Sequence, residues 1–230
     1  MMKVLAIDTS TSQIVTGVLD YVDGEIDVIA EKSVLGQTAH GELLAPSIQQ
    51  VLSDATLTPS ELDAVVIGLG PGPFTGLRVG IVTGSAMADA LRIPAYGTCS
   101  LDAIASDGDG RVMVVSDARR KEIYYAVYDE RGARILGPEV DKPDQVVETL
   151  GSLGITRVLN AGADKYVDLL SSFGVPLTSS YPRPAGLLRA AIRSGEFGGD
   201  AEPLTPLYLR RPDAKLPAVQ AKSPNGHGAL

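Results

Sequence analysis

The sequence predicts an α/β protein of two similar lobes, each of which opens with a β-hairpin. Short apolar runs of strand length alternate with longer runs of helical periodicity, which is typical of mixed α/β folds. Residues 4–20 overlay residues 113–129 at a constant offset of 109, without a gap. Each copy has an apolar strand ending in an aspartate, Asp8 or Asp117, followed by a polar turn and a second strand. An in-register repeat of this kind indicates a duplicated lobe.

The first lobe is predicted to span residues 1–100. Strands are expected at residues 4–7, 13–19 and 26–31, with a tight turn at Asp23-Gly24, because both residues tolerate positive φ. A helix follows at residues 40–53, in which Pro46 indicates a kink or a later start. An apolar strand at residues 64–69 leads into a long helix at 75–91. A strand at 95–97 and a short helix at 101–105 follow.

The second lobe is predicted to span residues 101–209. After the repeated hairpin, helices are expected at residues 144–150, 164–170 and 184–194, with a strand at 157–160. Residues 210–230 contain three prolines and few large aliphatic side chains. This tail is therefore predicted to be disordered.

Composition excludes several classes of function. The 230 residues carry 28 acidic and 20 basic side chains, a formal net charge of −8. Such a chain lacks the basic surface that binding nucleic acid on its own requires. Cys99 is the only cysteine, which excludes a disulfide framework and a thiolate zinc site. No apolar run reaches membrane-spanning length and Asp8 interrupts the first one, so we expect a soluble, cytoplasmic protein without a membrane partner.

A glycine-rich loop lies between a buried strand and the long helix. Residues 70–76 read GPGPFTG at a position where backbone amides can hold an anion. The lysine of a P-loop is missing, and Pro71 and Pro73 remove two amide donors. We interpret the loop as a rigid turn.

The long helix carries a glycine ridge, which consists of Gly76, Gly80, Gly84 and Ala88 at intervals of four residues. Each interior glycine costs a helix about 1 kcal/mol relative to alanine, so close approach of another element is the expected compensation. Most of the helix circumference is apolar or small, which indicates burial on most sides. Two interpretations stay open from the residues alone: the helix at 40–53 covers the ridge, or another subunit does.

The paired acids are candidates for ligand binding. Asp8 and Asp117 would meet in the cleft between the lobes, where two carboxylates suit Mg²⁺ bound to a phosphate. The hydroxyls of Thr9, Ser10 and Thr11 would then donate to that phosphate. Aspartates that end strands and cap turns are common, and the residues alone favour this structural role.

Three further features are interpreted as structural. His40 begins a helix, and the second histidine that a metal pair would need is replaced by Leu44. Cys99 has no basic neighbour in sequence, which argues against a nucleophile. The run Arg119-Arg120-Lys121 occupies the turn of the second hairpin, where a solvated turn is favoured over a contact with tRNA or phosphate.

Several segments together resemble one family. They are AIDTST at residues 6–11, TAH at 38–40 followed by Leu43, Leu44 and Pro46, GPG at 70–72, FTGLRVG at 74–80, DARR at 117–120 and EIY at 122–124. They resemble the TsaB (YeaZ) family, the non-catalytic subunit of the bacterial machinery that makes threonylcarbamoyladenosine in tRNA. The resemblance is close over about the first 130 residues and looser to Arg210. Pro73 departs from the small polar residue of many members.

The resemblance implies an actin-like, sugar-kinase-like (ASKHA) fold of two ribonuclease-H-type lobes with mixed sheets. It implies a scaffold subunit that dimerises with a catalytic TsaD-like paralogue. That paralogue transfers threonylcarbamoyl to N6 of the adenosine beside the anticodon in tRNAs that read codons beginning with A. A TsaE-like ATPase joins the assembly, tRNA is met only through the complex, and a homodimer forms when the partner is absent. No catalytic residue and no metal ligand are expected in this chain, because Leu44 stands where the paralogue has its second histidine.

The resemblance also implies two sets of site residues. The partner interface is expected at Leu44, Ile48, Val51, Gly76, Gly80, Thr83, Gly84 and Met87. A vestigial nucleotide site is expected at Asp8, Thr9, Ser10, Asp117 and Gly162. The adenosine-side motif of the superfamily is richer in glycine, so ATP binding by the isolated chain is expected to be weak or absent. ATP and Mg²⁺ would bind only at the assembled complex.

Two alternatives belong to other classes. An active ATP-dependent phosphotransferase or ATPase of the same fold would show ATP hydrolysis that depends on Asp8. A peptidase would need a nucleophile and a base within reach of each other, and the sequence offers no candidate pair.

Overall fold

The computed structural model describes residues 1–36, 39–105 and 110–210. The first sheet contains β1 (Met2–Asp8), β2 (Gln13–Val22), β3 (Glu25–Leu35), β4 (Ala64–Gly68) and β5 (Ala95–Thr98), in the order β3-β2-β1-β4-β5. The first three strands pair antiparallel, whereas β4 and β5 are parallel to β1. The predicted hairpin-first, mixed sheet is thereby confirmed.

Two helices cover one face of this sheet. They are α1 (His40–Asp54) and α2 (Phe74–Leu91). Leu5, Ile7, Val65 and Ile67 of β1 and β4 pack against them in a shared core. Pro46 lies within α1, on its exposed side, so the helix begins at His40 and not later.

The second sheet repeats the first. It contains β6 (Arg111–Asp117), β7 (Ile123–Tyr128), β8 (Arg134–Asp141), β9 (Ile155–Ala161) and β10 (Leu177–Ser179), in the order β10-β9-β6-β7-β8. Read from the opposite edge, this order matches that of the first sheet strand for strand. The helices α4 (Pro143–Leu150) and α5 (Val167–Leu170) belong to this half, and a 3₁₀ turn at Asp164–Tyr166 replaces the first part of the predicted helix.

The two hairpins differ in register by one residue. Asp8 is opposite Val15, whereas Asp117 is opposite Ile123. The gapless overlay therefore holds for β1 and β6 but not for strand pairing, because the second turn is one residue shorter. Three consecutive residues in that turn, Arg119, Arg120 and Lys121, have φ of 64°, 49° and 67°. These left-handed conformations close the shorter turn and are strained for residues with side chains.

The division into two lobes by sequence is wrong for the last helix. The short helix α3 (Ser100–Ile104) contacts α6 (Pro184–Arg193). Leu187 and Leu188 of α6 pack against Val4 and Val66 on the second face of the first sheet. Because helices cover both faces of the sheet, residues 4–7 of β1 and all of β4 are buried and carry no polar side chain.

The chain returns to the first lobe once more near its described end. Leu204 packs on the first-lobe core, and the amide of Leu207 donates to the carbonyl of Leu69 at 2.9 Å. Of the predicted tail at residues 210–230, Arg210 is described and forms an ion pair with Glu122, whereas residues 211–230 lie outside the described residues. No helix in the described part of the chain combines the length and apolar character needed to cross a membrane.

Candidate functional site

The glycine ridge faces the protein's own sheet. A Cβ at Gly76 would lie 2.8 Å from the Thr9 carbonyl oxygen, and one at Gly80 would lie 2.3 Å from Thr9 Oγ1. A Cβ at Gly84 would lie 2.5 Å from Ile67 Cδ1. The prediction that these glycines receive a partner is therefore wrong. The ridge is covered by Thr9, the residue after β1, and by Ile67 of β4. It is not covered by α1 or by another subunit.

The expected interface residues of α1 are also turned inward. Leu44, Ile48 and Val51 are 1%, 5% and 0% exposed and belong to the first-lobe core. Thr83 and Met87 of α2 are half-buried. Of the eight predicted residues, these last two are the only ones with a share of the surface.

The outward face of α2 carries different residues. Val82 is 64% exposed and Phe74 is 53% exposed, with exposed Arg78 between them and exposed Ala86 beyond. These positions are four residues apart and lie on one side of the helix. Sequence reasoning missed them because an apolar circumference hides which side is inward. The glycines were the usable signal, since close approach to a sheet needs them and the opposite side then faces out.

Asp8 is held inside the protein. It is 1% exposed, and its Oδ1 accepts hydrogen bonds from the Ser10 amide at 2.8 Å and the Ser10 hydroxyl at 2.7 Å. The Ser100 hydroxyl donates to its other carboxylate oxygen. Burial raises the pKa of Asp8, against the lowering effects of the bonds from Ser100 and Ser10 and of the charge on His40. This carboxylate is committed to the protein and not offered to a ligand.

Thr9 has a structural role as well. Its hydroxyl donates to the Gly76 carbonyl at 2.8 Å and accepts from the Gly80 amide at 3.1 Å. The side chain therefore links the end of β1 to the first turns of α2, and its hydroxyl both donates and accepts a hydrogen bond within the protein.

The other three predicted nucleotide residues come together between the lobes. Ser10, Asp117 and Gly162 line a cavity of about 200 Å³. Asp117 accepts from the Arg119 amide at 3.0 Å and forms an ion pair with Lys165 at 2.8 Å. Asp8 and Thr9 do not line this cavity. The expected pair of facing carboxylates is therefore wrong in its geometry, although both aspartates end corresponding strands.

His40 and Cys99 hold structural positions. His40 begins α1, and its Nε2 lies 3.0 Å from the Thr11 carbonyl oxygen. Cys99 is buried, and burial together with the nearby Asp102 carboxylate raises the pKa of its thiol to about 12. Within the described ranges, no three histidine, cysteine or acidic side chains are grouped closely enough to hold a metal ion.

A larger cavity of about 720 Å³ lies where α2, the β6–β7 turn and the end of the described chain meet. We call it the arginine cavity, because four arginines line it: Arg78, Arg119, Arg120 and Arg210. Its aromatic wall includes Phe74, Tyr124 and Tyr208.

Duplicated hairpin-first lobes with mixed sheets, joined across a cleft at the ends of β1 and β6, define the protein as one of the actin-like, or ASKHA, class. A family model described as "TsaD: tRNA N6-adenosine threonylcarbamoyltransferase" matches residues 6–183. The TsaB protein of Escherichia coli is 30% identical, over 95% of this chain and 100% of that one. The chain belongs to the TsaB (YeaZ) branch of this family, and so to the biosynthesis of tRNA threonylcarbamoyladenosine.

Two further comparisons give similar proteins. An uncharacterised protein of Mycobacterium leprae is 44% identical over 94% of this chain, which spans 56% of that relative's length. A Pseudomonas aeruginosa crystal structure, described as similar to peptidase YeaZ, matches with a TM-score of 0.74 at 28% identity. The match covers 91% of this chain and 100% of that one.

Proposed function

We propose that the chain is the scaffold subunit that pairs with a catalytic TsaD-like paralogue in the cytoplasm. The paralogue transfers threonylcarbamoyl to N6 of the adenosine beside the anticodon in tRNAs that read codons beginning with A. The observation that carries the proposal is the outward face of α2. Val82, at 64% exposure, is the most exposed large aliphatic side chain on the two helices of this lobe. Exposed apolar side chains on a helix whose other sides are buried favour a protein interface.

A non-catalytic role is supported by the residues around the cleft. Leu44 lies in the first-lobe core, one turn after His40, and has no group that binds a metal. The Asp8 carboxylate is occupied by Ser10 and Ser100, which does not favour the alternative of an ATPase that depends on it.

The same proposal covers the cofactor and the other partners. The chain alone holds no nucleotide tightly, and ATP with Mg²⁺ binds only in the assembled complex, which a TsaE-like ATPase joins. The committed hydroxyl of Thr9 and the burial of Asp8 support weak binding, because neither side chain lines the cleft cavity. When the TsaD-like subunit is absent, two copies of this chain pair through the face that carries Val82.

Val82→Glu tests the interface. The variant is expected to fold normally, because the Val82 side chain is mostly in solvent. It is expected to lose the complex with the organism's own TsaD-like subunit, since an interface would have to bury an unpaired carboxylate. Co-expression followed by size-exclusion chromatography with light scattering measures both the complex and the homodimer.

Leu169→Glu is the matched control, because Leu169 lies in a helix of the second half and is 44% exposed. It is expected to keep the complex. If Val82→Glu also keeps it, the α2 face is not the interface. If the wild-type chain forms no complex, the scaffold role fails.

A further inference from the structure

The arginine cavity has a charge opposite to that of the whole chain. The protein carries a net charge of −8, yet four arginines and no acid are found among the described residues that line this cavity. One of the four is neutralised locally, since Arg210 forms an ion pair with Glu122 and donates to the Ala118 carbonyl at 3.1 Å. Arg78 and Arg119 add positive charge to the lining, which makes the cavity a local site for anions on an acidic protein.

Arg119 is the cation that is available to a ligand. Its side chain is exposed, and it has no hydrogen-bond or ion-pair partner within residues 1–36, 39–105 and 110–210. It also lines the cavity of about 200 Å³ between the lobes and a third cavity of about 300 Å³ beside α1. Arg119 therefore lies where three cavities meet, on a turn held in left-handed conformations.

The aromatic wall of the cavity is preorganised. The Arg78 guanidinium lies 4.0 Å from the centre of the Phe74 ring and donates from Nε to the Tyr208 hydroxyl at 3.2 Å. The rings of Phe74 and Tyr208 are stacked with centres 5.2 Å apart, and these residues are 53% and 44% exposed. Exposed aromatic rings beside arginines are the combination that binds single-stranded or looped RNA, through stacking and phosphate contacts.

The cavity is continuous with the proposed partner face. Phe74, Arg78 and Val82 follow one another at intervals of four on the outward side of α2. A polyanion bound at the cavity would therefore lie beside whatever protein covers Val82.

We propose that the arginine cavity contacts the phosphate backbone of the tRNA substrate, and so helps to hold that RNA against the catalytic partner. The inference rests on the proposed function for the identity of the RNA. Arg119 makes the phosphate contact, because its guanidinium is available and its planar fork suits phosphate oxygens. The overall negative charge explains why the contact operates in the complex and not in the isolated chain.

The test uses the assembled complex and a fluorescently labelled, unmodified transcript of a tRNA that reads codons beginning with A. Binding is measured by anisotropy over a series of salt concentrations. Arg119→Glu is expected to weaken binding by about fivefold and to lower the slope of log affinity against log salt by about one unit. The fold should be kept, because the bond from the residue 119 amide to Asp117 does not involve the side chain.

Arg189→Glu is the matched control, since Arg189 is exposed on α6 and lines other cavities. It makes the same charge change and is expected to bind tRNA as the wild type does. Equal affinity of the two variants for tRNA would overturn the proposal. Loss of the protein complex in Arg119→Glu would also overturn it, because Arg119 would then belong to the protein interface. If ATP removes the difference between the variants, the cavity takes free nucleotide and the RNA assignment is wrong.

The outcomes separate this inference from the scaffold proposal. If the complex assembles normally and its affinity for tRNA is the same with Arg119→Glu as with the wild type, only the RNA contact is refuted. An Arg119-dependent affinity for tRNA, in a complex that tolerates Val82→Glu, refutes the α2 interface alone.

Discussion

At the scale of single residues, the buried Asp8 carboxyl makes the free energy of unfolding depend on pH. Its pKa is raised by burial, so the folded state binds this proton more tightly than the unfolded state does. The free energy of unfolding that Asp8 contributes is therefore highest at low pH. It falls as the pH rises from the unfolded pKa through the raised folded pKa, and is constant above it.

Asp8→Asn removes this dependence, because the amide is neutral throughout. The stability of the variant relative to wild type is expected to increase between about pH 4 and about pH 8. Urea unfolding at the two pH values measures the difference. Asp27→Asn is the control, since Asp27 is exposed on β3. A constant difference for Asp8→Asn would mean that the carboxyl is not desolvated as described.

The residue scale also shows what sequence reasoning reached. The positions of Asp8 and Asp117 at equivalent strand ends were predictable, because the apolar pattern of β1 and β6 ends at each. Their different environments were not, since Ser100 lies 92 residues from Asp8 in the chain. A tertiary contact of that separation leaves no local pattern.

At the scale of elements, α1 and α2 were predicted within one residue at each end, because their periodicity is strong. β8 and β10 were missed. β8 has no buried residue and contains Gly137-Pro138, which interrupts a strand pattern, and β10 has only three residues. The direction in which α2 faces was also missed, since it depends on the contact between Thr9 and Gly80.

The packing of α2 on its sheet is tested by two Gly→Ala substitutions that are expected to change stability in opposite directions. Gly80→Ala would place a methyl group 2.3 Å from Thr9 Oγ1, which is buried and also donates to the Gly76 carbonyl. Despite alanine's better helix propensity, the variant is expected to lose about 1–3 kcal/mol of stability. Gly41→Ala in α1 has no atom within 4 Å and is expected to gain up to about 1 kcal/mol.

Thermal unfolding by circular dichroism measures both variants. If Gly80→Ala is as stable as Gly41→Ala, the ridge does not pack against Thr9, and a partner contact at the ridge becomes tenable again.

At the scale of the whole molecule, α6 makes the two halves of the chain interdependent. It follows the second sheet in sequence and completes the core of the first lobe, with Leu187 against β1 and β4. A sequence repeat does not predict this crossing, because α6 has no place in the repeated segment. α6 therefore covers the face of β1 and β4 that is opposite to the one on which α2 packs.

Leu187→Ala tests that dependence, with Leu170→Ala as its match. Both leucines are 0% exposed, the first in the first-lobe core and the second in the core of the second lobe. Each substitution is expected to cost roughly 2–5 kcal/mol. Hydrogen exchange followed by mass spectrometry is expected to show faster exchange in β1 and β4 for Leu187→Ala, and in β6 and β9 for Leu170→Ala. Faster exchange confined to residues 111–179 in Leu187→Ala would place α6 with the second lobe, because helix and strands would then open as one unit.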